Sequence, residues 1–364
     1  MPDTPPLSPR GSARAPSRSR AAPSRRFFLK AVVASGAGAI LPRGLFAQRP
    51  DAARQRSGRI DVHHHMFPPA YVRAVGGRGG ELASRWSAQV SIDKMDRAGV
   101  AAAILSAVQV TVGDTMSGKD QKTRDLVRLN NEFGARCVQD YPRRFGYFAA
   151  LPMMDADGAL REIEYAYDTL KADGIGLWTS YLDRWVGAEQ FWPIYEELDR
   201  RRAVVFYHPS HNLCCRNMSD QTGIIDYDLD TVRAIDSMLF NGTPAKYPQV
   251  RHIWAHAGGG FAVLAPREVD DYPRLHRDAR APNGVADEIR KFYWDTAHAG
   301  QLPTVDALRD LVPISQILYG SDVPIRDYAL TDEPLSEFPH FSENDWQAIN
   351  RSNAERLFPR LRRV

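Results

Sequence analysis

Cysteine and long apolar runs are both scarce in this chain of 364 residues. It has 3 cysteines, and two of them, Cys214 and Cys215, are adjacent. Adjacent cysteines rarely pair with each other, so a disulfide framework is excluded and we expect reduced thiols. The weakly apolar run at residues 31–41 has 11 residues, which is about half of the ~20 that a membrane-spanning helix needs. The composition therefore favours a globular chain that depends on its own core.

A basic surface is also absent once the N-terminal segment is set apart. Residues 1–47 hold 8 of the 47 Lys and Arg residues and 1 of the 44 Asp and Glu residues. The other 317 residues thus carry 39 basic and 43 acidic residues, a net charge of −4. No basic face is left that would argue for nucleic acid, so we expect no nucleic-acid partner.

The first ~50 residues read as a leader because they are rich in Pro, Ser, Ala and Arg and have no apolar periodicity. Residues 24–30, "SRRFFLK", resemble the twin-arginine export signal S-R-R-x-F-L-K at every fixed position. Residues 31–41 fit the apolar region of a secretory signal, with cleavage after Ala47. We expect a leader over residues 1–47, a linker over 48–58, and export to the periplasm by the twin-arginine translocase. An uncleaved anchor, or an Arg-rich tail that binds nucleic acid or a membrane surface, is the alternative.

From residue 59 onward, short apolar runs alternate with amphipathic helical patterns. The predicted strands are residues 59–65, 100–107, 144–151, 174–180, 203–208, 250–256, 292–296 and 315–321. Strands separated by helices indicate parallel βαβ units, and eight of them predict a closed (β/α)₈ TIM barrel, an α/β fold of one domain over residues 59–364. An open doubly wound sheet is the alternative. The run Gly258-Gly259-Gly260 is not the G-x-G-x-x-G of a dinucleotide site, which disfavours that fold.

Three consecutive histidines lie on the first predicted strand. His63 and His65 are two residues apart, so both side chains should point to one face, and His64 should point to the other. The same alternation places Asp61 on the face of His63 and His65. In a barrel, inward polar residues at the carboxyl end of a strand lie at the mouth, where chemistry occurs.

Polar residues also end three later strands. His208 ends the fifth strand, His256 the sixth and Asp322 the eighth. Three imidazole nitrogens and one carboxylate, from His63, His65, His208 and Asp322, suit a borderline divalent cation such as Zn²⁺, with Mn²⁺ as the second choice. His256 is either a further ligand or a proton carrier close by.

These anchors, in this order, resemble the amidohydrolase superfamily: H-x-H, a strand-five His, a strand-six H-x-G-G and a strand-eight G-S-D-x-P. The segments "GLWTSYLDRW", "HPSHNLCCRN", "FYWDTA" and "INRSNAERLF" are similar to its aminocarboxymuconate-semialdehyde decarboxylase branch, especially to proteins related to 6-methylsalicylate decarboxylase. The resemblance runs from about residue 59 to 358. It implies that His63, His65, His208 and Asp322 bind the metal and that His256 is catalytic.

The resemblance also bears on the number of metals and on substrate binding. Two-metal amidohydrolases have a bridging carboxylated lysine at the end of strand four, but this chain has no lysine between Lys171 and Lys246. We therefore expect one metal ion. The branch uses an arginine before strand two to hold a substrate carboxylate, and Arg78 and Arg85 are the candidates here. Either arginine is alternatively a simple surface charge.

The expected activity is removal of CO₂ from a small aromatic, hydroxybenzoate-like or unsaturated carboxylic acid, without a redox cofactor. Asp322 is the candidate proton donor and His256 its hydrogen-bond partner. Trp178 either packs in the core or forms an aromatic wall for a flat substrate. Asp295 is either a hydrogen-bond partner of the metal ligands or a catalytic residue. A metal-dependent hydrolase of an amide or lactone, and a noncatalytic binding barrel, are the rival functions. We expect a homodimer.

Overall fold

Eight parallel strands and the helices between them form one barrel in the computed structural model. The structure describes residues 58–77, 79–107, 116–210, 224–275, 280–299, 302–336 and 340–363. The strands follow one another around the sheet in chain order, and each pairs in parallel with the next. The predicted (β/α)₈ barrel is confirmed.

The barrel strands correspond one to one to the predicted strands. They are β1 Arg59–Met66, β2 Val100–Ala107, β3 Phe145–Ala149, β4 Gly174–Trp178, β5 Val204–His208, β6 Arg251–Trp254, β7 Tyr293–Asp295 and β8 Ile317–Leu318. The ladder of β8 with β7 ends at Leu318, so β8 is shorter than predicted. The following residues pair with β1 instead: Val62 N donates to Tyr319 O at 3.0 Å and His65 N to Val323 O at 2.7 Å. These bonds close the barrel.

Helices connect the strands. The α-helices are α1 Pro69–Ala74, α2 Gly80–Arg85, α3 Ala88–Ala98, α4 Gln121–Asp140, α5 Ala156–Glu164, α6 Trp192–Arg200, α7 Ile224–Asn241, α8 Thr243–Lys246, α9 Phe261–Asp271, α10 Val285–Lys291, α11 Leu302–Leu311, α12 Tyr328–Ser336, α13 Glu343–Gln347 and α14 Asn353–Leu357. Local sequence sets their ends. Asp120 accepts a hydrogen bond from Thr123 N at 2.9 Å and caps α4, and Gly99, with a φ of 72°, ends α3 directly before β2.

The C-terminal segment packs on the barrel. It runs as α13, a π-helical turn over Ala348–Ser352, and α14. Leu357, Phe358 and Leu361 then join the apolar cluster inside the barrel, which includes Ile60 at the start of β1. Each fully buried side chain of this kind stabilises the fold by about 1.5–3 kcal/mol. Because this segment covers the amino ends of the strands, the carboxyl ends are left for the functional site.

A β-bulge in β1 changes which side chains face inward. Asp61 pairs with Ala103 and His64 with Leu105, so three residues of β1 lie opposite two of β2. Asp61 therefore points outward, where its Oδ2 accepts hydrogen bonds from Ser321 Oγ at 2.6 Å and Tyr328 OH at 3.0 Å. The prediction that Asp61 shares the face of His63 and His65 is wrong, because strict alternation does not hold across a bulge.

Several predictions concern residues outside the described ranges. The leader over residues 1–47, all of the linker except Gly58, Cys214 and Cys215 lie there. Within the described ranges, the helices are too short or too polar to span a lipid bilayer.

Candidate metal centre and active site

The four predicted metal ligands meet at the carboxyl end of the barrel. His63 and His65 belong to β1, His208 is the last residue of β5, and Asp322 follows β8. One ligand atom from each lies within 4.8 Å of the other three. His63 Nε2 is 3.2 Å from His65 Nε2, and Asp322 Oδ1 is 2.8 Å from His65 Nε2 and 3.2 Å from His63 Nε2. The spacing of His63 and His65 and the strand-end positions of His208 and Asp322 thus predicted residues that the fold brings together.

The tautomer of His208 is fixed by its own neighbour. Its Nδ1 lies 3.0 Å from Pro209 O, and a carbonyl oxygen can only accept, so Nδ1 carries the proton. Nε2 then has a free lone pair. This atom is buried and has no hydrogen-bond partner among the described residues. Since this atom also lies within 4.8 Å of ligand atoms of His63, His65 and Asp322, it is placed where it could bind a cation.

The other two histidines are oriented by groups behind them. His63 Nδ1 donates to Asp295 Oδ2 at 2.7 Å, and His65 Nδ1 lies 3.0 Å from Ser106 Oγ. Both contacts leave Nε2 facing the cluster, as partners of metal-binding histidines do. Gly320 allows the close approach of these elements, because a Cβ there would lie 2.8 Å from Asp295 Cβ and 3.0 Å from His63 Cβ.

The charges of the cluster favour a cation. Burial disfavours an imidazolium at His63, but the carboxylates of Asp295 and Asp322 outweigh burial and raise the pKa of His63 to about 10. Burial also disfavours a charged Asp322, yet the charge of His63 and hydrogen bonds from neighbouring histidines hold the pKa of Asp322 well below its usual range. Burial and the nearby histidines lower the pKa of His208 well below its ordinary value. A divalent cation would compete with the proton on His63 for this site.

The donor set fits a divalent metal ion. Asp322 Oδ1, like His208 Nε2, is buried without a hydrogen bond in the described part of the chain. Leaving such a group unsatisfied costs about 1–3 kcal/mol. A cation bound to three imidazole nitrogens and one carboxylate oxygen would satisfy both atoms, and this ligand number and type suit Zn²⁺. His63, His65, His208 and Asp322 would hold it.

The backbone is strained at the same place. His256, His298 and Asp322 have φ values of 56°, 57° and 68°, in the left-handed region that non-glycine residues rarely adopt. Such conformations cost of the order of 1–3 kcal/mol each and are kept where surrounding structure imposes them. Here they turn three polar side chains towards the barrel mouth.

His256 and His298 approach the second oxygen of Asp322. His298 Nε2 lies 2.8 Å from Asp322 Oδ2, whereas His256 Nε2 lies 3.6 Å from it and is buried without a hydrogen bond among the described residues. The backbone N–H of His256 donates to Asp295 Oδ1 at 2.9 Å. His256 is therefore a neighbour of the four-residue group, as predicted, but the hydrogen-bond partner of Asp322 is His298.

A pocket lies beside the cluster and includes Trp178. Its described lining residues include Ser106, Phe148, Ala150, Trp178 and His208. The Trp178 indole is buried and stands edge-on to the His208 ring, with 6.1 Å between centroids. Of the two roles considered for Trp178, a wall of the site is compatible with this position, and the side chain also contacts the core.

Neither candidate arginine is among the described residues that line that pocket. Arg78 lies outside the described residues. Arg85 ends α2, has a side chain that is 78% exposed and pairs with Glu81 at 2.5 Å. It lines a separate groove that also contacts Pro324. The position of Arg85 is that of a surface charge.

Three site residues carried little signal in the sequence. The sequence predicted no role for His298 or Ser106 and left two possible roles for Asp295. Only their positions in the predicted strands could have identified these residues. Ser106 and Asp295 lie at the carboxyl ends of β2 and β7, and His298 is three residues beyond β7. In a parallel barrel every polar residue at that end is a candidate.

The fold is a closed parallel barrel with three histidines and an aspartate at the carboxyl ends of its strands, the arrangement of a metal-binding (β/α)₈ barrel. Comparison with known proteins identifies the family. The family profile described as "Amidohydrolase" matches residues 60–360. The chain belongs to this amidohydrolase family.

Individual relatives within this similarity are decarboxylases. The chain is 33% identical over 326 residues to decarboxylase macB of Penicillium terrestre, covering 84% of this chain and 96% of that protein. It is 32% identical over 318 residues to the 6-methylsalicylic acid decarboxylase of Penicillium expansum, covering 84% and 98%. The fold matches a crystal structure of dihydroxybenzoic acid decarboxylase from Polaromonas sp., with bound manganese and the inhibitor 2-nitroresorcinol, at a TM-score of 0.71 and 23% identity, covering 83% and 97%.

Proposed function

We propose that this protein is a metal-dependent carboxy-lyase that removes CO₂ from a small hydroxybenzoate-like carboxylic acid without a redox cofactor. The observation that carries the proposal is the buried group of His63, His65, His208 and Asp322, whose unsatisfied atoms converge at the barrel mouth. Trp178, Phe148 and Phe206 line a small cavity beside this group, so aromatic side chains lie next to the candidate metal ligands.

The chain is a decarboxylase of the amidohydrolase family. Four relatives that are 32–33% identical over most of both chains are decarboxylases. The names of two of them give 6-methylsalicylic acid as the substrate, a ring with a hydroxyl group beside the carboxylate. This supports an ortho-hydroxy aromatic acid as the substrate class here.

We propose a single divalent cation, Zn²⁺ or Mn²⁺. The three nitrogen ligands favour Zn²⁺, whereas the Polaromonas decarboxylase contains manganese. One cation is expected because β4 is followed by no lysine before Lys246 that could bridge two. Elemental analysis of the purified protein distinguishes these cases.

The cation and Asp322 have different roles in this proposed reaction. When bound, the cation withdraws charge from the substrate carboxylate and its neighbouring hydroxyl and fixes their position. The Asp322 carboxylate first takes up a proton at Oδ2, which faces His256 and His298, and then passes it to the ring carbon that bears the carboxylate. Solvent supplies this proton through the two histidines. As that C–H bond forms, the C–C bond to the carboxylate breaks, its electron pair returns to the ring, and CO₂ leaves.

The test is to incubate the metal-loaded enzyme with 6-methylsalicylate and dihydroxybenzoates in deuterated water. Decarboxylation predicts release of CO₂ and one deuterium at the carbon that bore the carboxylate. Asp322→Asn keeps an oxygen ligand but loses the acid, so turnover should fall by more than about 10²–10⁴-fold. His256→Ala should reduce turnover less than Asp322→Asn does, because it leaves both the carboxyl group and its hydrogen bond with His298 in place.

Hydrolysis of an amide or lactone is the rival, since the same ligands can activate water. It predicts solvent oxygen in the product and no loss of CO₂. That result would replace the decarboxylase proposal. Metal binding without turnover of any of these compounds would instead favour a binding barrel.

Two further proposals concern the whole protein. The "SRRFFLK" motif supports export to the periplasm by the twin-arginine translocase. A homodimer is supported by large apolar side chains on two touching helices, Ile225 and Leu229 of α7 and Val263 and Leu264 of α9, which are 40–66% exposed. A monomeric mass in sedimentation equilibrium would contradict the dimer.

A further inference from the structure

The two carboxylate oxygens of Asp322 have different surroundings. Oδ1 faces His63 Nε2 and His65 Nε2 at 3.2 and 2.8 Å. Oδ2 points the other way and lies 2.8 Å from His298 Nε2. A carboxylate can bind a cation through one oxygen or both, and a hydrogen bond on one oxygen orients the group and favours binding through the other.

The backbone holds this arrangement from both sides. His298 and Asp322 are each in the left-handed region, with φ values of 57° and 68°. Asp322 N donates to His63 O at 2.8 Å, which ties the aspartate to β1, and the His298 turn follows β7 directly. Two strained residues, in the segments that follow the neighbouring strands β7 and β8, therefore meet through one hydrogen bond. Strain of this kind is retained where the contact it produces matters.

We propose that His298 is a positioning residue that holds Oδ2 of Asp322 out of the coordination sphere, so that Asp322 binds the cation through Oδ1 alone. This inference rests on the proposed cation site. It adds a function for Oδ2, because an oxygen that binds the cation is not available to carry a proton to the substrate. His298 thereby keeps the ligand role and the proton-transfer role of Asp322 on separate atoms.

One alternative uses the same residues. Ligand atoms of His256, His298 and Asp322 also lie within 4.8 Å of one another, which is a second three-residue group of metal-binding type. If His298 were a ligand, the protein would bind two cations that share Asp322. Stoichiometry separates the two possibilities.

The experiment measures Co²⁺ binding rather than turnover. The enzyme is freed of metal with a chelator and titrated with Co²⁺, whose visible absorption weakens as its coordination number rises. We expect one Co²⁺ per chain in the wild type. In His298→Ala, the freed Oδ2 should join the cation, so the absorption per bound Co²⁺ should weaken and the affinity should fall by about 10–100-fold.

Two variants serve as controls. His298→Gln keeps an N–H donor at a similar reach, and it should restore both the spectrum and the affinity. His340→Ala removes another histidine–aspartate contact of 2.8 Å, to Asp306 on α11, and should change neither. Circular dichroism confirms that each variant is folded. An unchanged spectrum and affinity in His298→Ala, or a drop from two Co²⁺ ions to one, would overturn the inference.

The outcomes also separate this inference from the proposed function. Co²⁺ binding that depends on His298, without release of CO₂ from hydroxybenzoates, would overturn the decarboxylase reaction and support the role of His298. Release of CO₂ from hydroxybenzoates, together with a Co²⁺ spectrum that does not change in His298→Ala, would support the decarboxylase reaction and overturn the role of His298. A wild-type protein that binds no Co²⁺ would overturn both.

Discussion

His208 is the ligand whose orientation is best determined, since its Nδ1–H is committed to Pro209 O and its Nε2 has only the cluster to face. His208→Ala should therefore remove most of the bound metal and all activity while the barrel still folds. Elemental analysis of the purified variant measures the loss. Full metal occupancy in His208→Ala would contradict the assigned ligand set.

His64→Ala is the matched control, because His64 is equally buried but faces away from the cluster. Its Nε2 lies 2.9 Å from Ser91 Oγ, and its Nδ1 lies 3.1 Å from Tyr328 OH. The variant should keep its metal. It should lose stability, by about 1–3 kcal/mol for buried groups left without partners. Denaturant unfolding checks this second effect.

At the scale of single residues, the sequence predicted what depends on spacing and missed what depends on tertiary contact. The inward direction of His63 and His65 followed from their separation of two. The outward direction of Asp61 could not be predicted, because the bulge that turns it is set by pairing with β2. The contact of His298 with Asp322 joins residues 24 positions apart through two left-handed turns, and no local pattern encodes it.

At the scale of elements, α7 and α9 touch and carry a pair of carboxyl groups, Asp236 and Glu268. Partial burial and the negative charge of Asp236 raise the pKa of Glu268 to about 7, from an ordinary value of 4.5. Between these pH values the native state binds more protons than the unfolded state. The contribution of Glu268 to stability is therefore full below about pH 4.5 and is lost as the pH rises through 7.

Glu268→Gln removes this titration. The variant should gain thermal stability relative to the wild type as the pH rises from 5 to 8, and melting curves at both pH values measure the change. Asp270→Asn, which removes an exposed carboxylate from the same helix, is the control and should show a nearly constant difference. A stability difference between Glu268→Gln and the wild type that is equal at pH 5 and pH 8 would contradict the raised pKa of Glu268.

At the scale of the whole molecule, the barrel was predictable because eight apolar runs alternate with helical patterns. Parallel topology then forces their carboxyl ends to one side. That geometry makes histidines as distant in sequence as His65 and His208 neighbours. Closure by residues beyond β8, such as Tyr319 and Val323, was not predictable in detail, since the ladder of β8 with β7 is only two residues long.

The predicted leader can be tested through the export of the protein. If residues 24–30 are a twin-arginine signal, the paired guanidinium groups of Arg25 and Arg26 are what the translocase reads, and lysine offers the charge without the planar fork of donors. Arg25→Lys with Arg26→Lys should leave an active, uncleaved precursor in the cytoplasm, because such substrates fold and load metal before they cross. Cell fractionation with a decarboxylase assay measures this. Arg18→Lys with Arg20→Lys changes two arginines of the same leader outside the motif and should export normally. Normal export of the first pair would refute the signal.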